Sequence, residues 1–102
     1  MEANKENNFA SAVVYCYNDN KCITAFIKGL FLIMVTIFYK FEIIFVNDSS
    51  TDNSTDLIKT YASHQKEKVI TILNMSYHQG VEASMNAGVN LAIGDFVLPV
   101  LL

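Results

Sequence analysis

The sequence predicts a three-layer α/β/α fold around a mostly parallel sheet, and three observations carry that expectation. Short apolar, β-branched runs recur at Phe9 to Tyr17, Phe41 to Val46, Lys68 to Asn74 and from Phe96. Segments with apolar residues at helical spacing lie between them, and loops rich in Asn, Asp and Ser follow the first two runs. Such alternation is what parallel strands joined by right-handed helical crossovers leave in a sequence. At 102 residues the chain supports a single domain.

Taken in order, the elements justify themselves. Residues 1–8, with Glu2, Lys5 and Glu6 among asparagines and no apolar core, read as a poorly ordered terminus and not as a signal peptide. The first strand stops at Asn18-Asp19-Asn20, a turn expected to cap a helix from Lys21. Ile23, Phe26, Ile27 and Leu30 set that helix's apolar stripe. The uncharged run Gly29 to Tyr39, bounded by Lys28 and Lys40, falls short of the roughly 18 to 20 residues that span a bilayer, so it reads as buried amphipathic helix running into a loop. The second strand ends in a polar loop, Asn47 to Asn53, and a helix follows from about Ser54 to His64 with Leu57, Ile58 and Tyr61 on one face. After the third strand, Gly80 opens a helix expected to close near Ala92-Ile93-Gly94 with the glycine at its C-terminus. The fourth strand begins at Asp95-Phe96 and is expected to break at Pro99.

The order β-α-β-α-β-α-β describes a Rossmann-like domain. The first and fourth strands should then lie side by side with the second next to the first, bringing the loops at Asn18-Asp19 and Asn47 to Ser50 to one rim. Open α/β sheets bind ligands at the carboxyl ends of their strands, so this rim is the expected site. No GxGxxG or Walker loop is present.

Composition narrows the function. With 52% hydrophobic and 17% charged residues the chain folds. A net charge of -3 without any arginine argues against nucleic-acid binding. Cys16 and Cys22 lack CxxC spacing and read as reduced structural thiols of a cytoplasmic protein, with a disulfide or metal pair the lesser alternative.

Four stretches, Val13–Asp19, Val46–Asp52, Gln79–Gly88 and Ala92–Val97, resemble in order the landmarks of family 2 glycosyltransferases, GT-A-fold enzymes that use nucleotide-diphosphate sugars. The resemblance implies that residues 9–102 are the amino-terminal, nucleotide-binding half of a GT-A domain, an incomplete one. It implies that Tyr17 and Asp19 lie against the nucleobase and that Asp48 hydrogen-bonds the base or ribose. Ser50, Gly80 and Asn86 join them as nucleotide-sugar-binding positions, the donor being of UDP or GDP type. Asn47 stands where the family has a first aspartate, Ser49 where it usually has glycine, and Met85 where an arginine usually precedes the asparagine. A full-length member would hold Mg2+ or Mn2+ through an Asp-x-Asp motif after the fourth strand. That position is Leu101 here, so the isolated chain is expected to hold no metal and to lack the family's base, as a truncated or degenerate member of a cell-envelope polysaccharide pathway.

Simpler roles stand beside these. Asp48, Ser50, Thr51 and Asp52 also suit an Asx-type turn, and capping is the favoured role for Asp52 and Ser54. His64 reads as a solvated helix end, His78 as a loop residue near the rim with a substrate contact the lesser alternative, and Met75 and Tyr77 as packing residues. Lys59, Lys66, Glu67 and Lys68 form a solvated edge. The alternatives to a transferase fragment are a catalytically inactive nucleotide- or partner-binding module and a small membrane-surface protein built on Ile23 to Tyr39. Association with the inner face of a membrane, or with a second copy through the open sheet edge or the apolar helix, goes with these readings.

Overall fold

The computed structural model describes residues 7–65 and 69–101, without the side chain of Leu101. Most of the expected poorly ordered terminus, together with Lys66, Glu67, Lys68 and Leu102, lies outside the described residues. The elements are β1 (Ala10–Cys16), α1 (Ile23–Ile37), β2 (Phe41–Asn47), α2 (Ser54–Ser63), β3 (Ile70–Asn74), α3 (Val81–Leu91) and β4 (Phe96–Leu101). All strand pairs are parallel, in the order β3-β2-β1-β4, with Tyr15 opposite Val46 and Ala10 opposite Phe96.

Side-chain alternation along β1 and β2 divides the core between two faces. Ala12, Val14, Cys16, Ile43 and Phe45 meet Ile23, Ile27 and Met34 of α1 and Ile58 of α2. Val13, Ile44 and Val46 face the other way, with Met85 and Ala92 packed against them. Because both faces are covered, the two central strands read as continuous apolar runs. Gly88 lets α3 approach closely: a Cβ there would stand 2.5 Å from Val13 Cγ1 and 2.6 Å from Val46 Cγ2. That approach sets the start of α3 directly above the carboxyl ends of β1 and β2.

Four expectations change. The second half of α1 is not buried: Met34 faces the core, but Leu32, Ile33, Val35 and Ile37 are exposed because nothing among the described residues covers the outer face. Gly94 does not end α3 in a left-handed cap, since the helix leaves through Ala92 at φ -63° and ψ 137°. It is instead a point of close approach, where a Cβ would lie 2.8 Å from Ser11 N and 2.9 Å from Phe9 O. Pro99 does not break β4, which sits at the sheet edge with β1 as its strand neighbour, where a missing N–H is tolerated. Tyr77 is exposed and does not pack. No helix among the described residues is long and apolar enough to cross a membrane.

Candidate functional site

Three loops meet at the carboxyl-terminal rim. Each carries one residue at positive φ: Asn18 at 52° after β1, Ser49 at 61° after β2 and Gly80 at 93° before α3. The first two loops are sewn together by backbone-to-side-chain hydrogen bonds. Asn18 Oδ1 accepts from the Thr51 N–H at 2.8 Å and the Asp52 N–H at 3.3 Å, while the Asn18 N–H donates to Ser50 Oγ at 3.1 Å. The Asp19 N–H donates to Ser54 Oγ at 2.9 Å, and the Asn20 N–H to Asp52 Oδ2 at 3.1 Å. Asn47 Oδ1 receives the Ser50 N–H at 3.0 Å, and its Nδ2 donates to Asn74 Oδ1 at 2.9 Å, extending the network to β3.

Asp48 is the centre of the third loop's attachment. Residues 44, 46 and 48 share one side of β2, and 13, 15 and 17 share the same side of β1, so Asp48 and Tyr15 both point beneath α3. Asp48 is completely buried. Its Oδ1 accepts the Gln79 N–H at 2.7 Å, and its Oδ2 accepts the Tyr15 hydroxyl at 2.7 Å and the Gly80 N–H at 2.9 Å. His78 Nδ1 lies 3.0 Å from the same Oδ2. The carboxylate thus collects N–H groups from the start of α3, where the helix dipole also favours negative charge.

The electrostatics follow from these contacts. Burial works to raise the Asp48 carboxyl, but the Gln79 N–H, the Tyr15 hydroxyl and the Gly80 N–H outweigh it and hold it below the usual carboxylate range. The Ser84 hydroxyl contributes in the same direction, although this buried group completes no hydrogen bond of standard geometry. Tyr15 is pushed up to about 12, first by burial and then by its hydrogen bond to Asp48. The Cys16 thiol rises to about 11, chiefly through burial and then through the charge of Asp19, which makes it an inert core group. Cys16 and Cys22 are both free thiols. Burial also works to raise Asp52, and the Ser54 hydroxyl and N–H lead the contacts that bring it down.

Among the expected site residues, the structure brings together Tyr17, Asp19, Asp48, Ser50 and Gly80. Tyr17 keeps an exposed ring, tilted 42° to that of His78 with centroids 4.3 Å apart. Asp19 Oδ2 accepts the Tyr17 N–H at 2.9 Å. Asp48 takes part from below, with its oxygens already occupied and no surface on the crevice. Asn86 stands apart: Ser84 and Gly88 face the sheet, and Asn86 lies roughly 200° round the helix on its exposed side. Asp52 makes the expected Asx-type turn, its Oδ1 accepting the Ser54 N–H at 3.0 Å and the Ser54 hydroxyl at 2.6 Å, but the N-cap of α2 is Asn53, which makes no side-chain capping bond. Sequence reasoning placed Asn18 on the rim without its bridging role and missed Tyr15. The i, i+2 relation between Tyr15 and Tyr17 was the available signal for Tyr15, since it puts both on the strand face that Val13 defines.

No three His, Cys, Asp or Glu side chains among the described residues gather as a metal site. At the rim both oxygens of Asp48 and of Asp52 already accept backbone or hydroxyl donors, and Asp19 Oδ2 accepts one N–H.

Comparison with known proteins agrees with this architecture. A curated relative, the undecaprenyl-phosphate 4-deoxy-4-formamido-L-arabinose transferase of Yersinia pestis (strain Pestoides F), is 30% identical over 98 residues, which are 96% of this chain and 30% of the relative. The chain therefore spans under a third of the relative's length. Among solved structures, the mannosyltransferase PcManGT from Pyrobaculum calidifontis, in complex with GDP-Man and Mn2+, superposes with a TM-score of 0.82 at 18% identity, over 90% of this chain and 26% of that one. S. aureus TarS 1-349, in complex with UDP-GlcNAc, superposes with a TM-score of 0.76 at 27% identity and the same coverage. The model of Glycosyl transferase family 2 matches residues 11–100, and the chain belongs to that family.

Proposed function

We propose that residues 9–102 are the nucleotide-binding part of a glycosyltransferase that moves a sugar from a UDP- or GDP-type donor to an acceptor hydroxyl in cell-envelope polysaccharide synthesis. The observation that carries this reading is the convergence of three strand-end loops around the exposed Tyr17 ring, with Asp48 buried beneath them. An aromatic face stacks a base without needing a cation, which suits a rim that contains no arginine. The neighbours with UDP-GlcNAc and GDP-Man bound support the donor class. In this reading Asp19, Ser50 and Gly80 shape the pocket around the nucleoside, and Asp48 acts through the groups it holds. Asn86 contributes only from a part of the ligand that reaches the outer side of α3. Calorimetry with UDP and GDP, with and without Mn2+, tests the proposal. Binding should be measurable without metal, and Tyr17→Ala should weaken it about tenfold through lost stacking; a wild-type chain that binds neither nucleotide sinks the reading.

A second reading adds peripheral contact with an anionic membrane surface at the cytoplasmic face. It is favoured by the exposed Leu32, Ile33, Val35 and Ile37 of α1, a helix without an acidic residue, with exposed Lys28 on the same helix and exposed Lys40 just beyond its end. Flotation with vesicles containing phosphatidylglycerol should carry the chain upward, and Ile33→Glu should abolish this. A concentration-dependent dimer that does not float would assign the face to a second copy instead.

A further inference from the structure

At the rim, the His78 side chain has its orientation fixed from below while its far edge stays open. Its Nδ1 faces two acceptors, Asp48 Oδ2 at 3.0 Å and the Asp48 carbonyl oxygen at 3.4 Å. Its ring lies against Tyr17 with centroids 4.3 Å apart, yet the side chain is 52% exposed. A nitrogen lone pair aimed at two oxygens is repelled by both, so Nδ1 carries the proton. In the neutral ring Nε2 is then an unprotonated acceptor. Asp48, with Gln79, Gly80 and Tyr15 already donating to it, does not turn toward a ligand without breaking those bonds.

We propose that His78 is a specificity-determining residue of the crevice: Asp48 holds its imidazole through Nδ1 so that Nε2, beside the Tyr17 face, accepts a hydrogen bond from a nucleoside donor. The proposal rests on the nucleotide-binding reading and moves direct recognition from Asp48 to the residue it orients, leaving Asp48 a positioning residue. The donor is a ring N–H of the base or a ribose hydroxyl. Uracil and guanine carry a ring N–H where cytosine and adenine present a lone pair, so an acceptor at this place selects UDP and GDP over CDP and ADP if the base supplies the donor. A ribose donor leaves the four bases equal and makes 2′-deoxy-UDP weak.

The test is calorimetry of the whole chain and its His78→Ala variant with UDP, GDP, CDP, ADP and 2′-deoxy-UDP, joined to nitrogen-15 spectra of the imidazole. His78 is exposed enough that alanine leaves the fold intact, which circular dichroism checks. The expected result is a loss of about tenfold in UDP affinity with the selection among ligands abolished. The spectra should place the ring proton on Nδ1 in the wild type. Wild-type preference for UDP and GDP assigns the donor to the base, and weak 2′-deoxy-UDP assigns it to the ribose. Unchanged affinity and selection in His78→Ala, while nucleotides still bind, overturns this inference and leaves the nucleotide reading standing. Tighter binding in the variant also overturns it, since the imidazole would then be occupying the base's place. A proton on Nε2 in the wild type does the same, and absence of any nucleotide binding removes both readings.

Discussion

At the carboxyl-terminal rim Asp48 takes hydrogen bonds from Gln79, Gly80 and Tyr15, while at the opposite rim Glu42 Oε2 takes the Ser11 hydroxyl at 2.6 Å and the Ile93 N–H at 2.8 Å. Both rims tie the helical crossovers to the sheet through a carboxylate. The opposite rim does so with relaxed backbone: the Gly94 N–H donates to Ser11 Oγ at 2.8 Å, and the Asp95 N–H to Phe9 O at 2.7 Å. Every positive φ among the described residues lies at the carboxyl-terminal rim. Strained backbone persists where the surroundings over-determine it, and it concentrates at functional sites. A cavity of about 300 Å³ does open at the opposite rim beside Phe41 and Ile93, but Glu42, its acidic group, is spent on Ser11 and Ile93. Strained backbone separates the two rims better than hollow volume or an exposed aromatic ring does, since Tyr39 at the opposite rim is exposed as Tyr17 is.

The largest way to break this comparison is to remove each carboxylate in turn. Asp48→Ala leaves the half-buried Tyr15 hydroxyl and two N–H groups without an acceptor, and should destabilise the fold by about 3–5 kcal/mol. Glu42→Ala strands fewer donors, the Ser11 hydroxyl and the N–H of the exposed Ile93, and should cost about 1–2 kcal/mol. Urea unfolding of the two variants decides the matter; equal losses would mean that the rims are energetically alike. The acid limb separates them further. Asp48 is depressed in the fold, so its contribution is present above the ordinary carboxyl value of about 3.9 and is lost as pH falls through the lower folded value. Tyr15 is raised to about 12, so its contribution is full below the ordinary value of about 10 and lost as pH rises from there. Asp48→Asn should flatten the acid limb and Tyr15→Phe the alkaline one. A variant limb parallel to the wild type would acquit that residue.

Much of this was legible from residue order. Alternation and the apolar runs at Val13 and Ile44 yield the parallel sheet with β1 and β2 at its centre, and the Asn-Asp and Asn-Asp-Ser-Ser turns yield the rim. What escaped depends on direction in space. Asp48 falls at a polar loop and looks like a ligand contact, but its parity with Ile44 and Val46 turns it under α3, where orphan N–H groups wait. Gly94 looks like a helix terminator because α3 ends nearby; its reason is contact with Ser11 and Phe9, more than 80 residues back in the chain. The apolar run in α1 looks buried because composition records that residues are apolar and not which of them face outward.

The smallest effect concerns the strain itself. Ser49 stands at φ 61°, where an L-residue pays roughly 1–2 kcal/mol and glycine does not. Ser50 and Asn47 pin the loop on one side, since the Ser50 N–H donates to Asn47 Oδ1 and Ser50 Oγ receives the Asn18 N–H. The turn therefore keeps its shape whichever residue occupies position 49. Ser49→Gly removes the steric penalty but adds about 0.5–1 kcal/mol of chain entropy lost on folding, leaving a net gain of about 0.5 kcal/mol. Urea midpoints measured beside UDP affinity read both consequences. Higher stability with unchanged affinity means that the neighbouring hydrogen bonds impose the conformation and the serine merely endures it. Lower stability would mean that the serine side chain contributes to the turn, and the strain at this rim would then need another source.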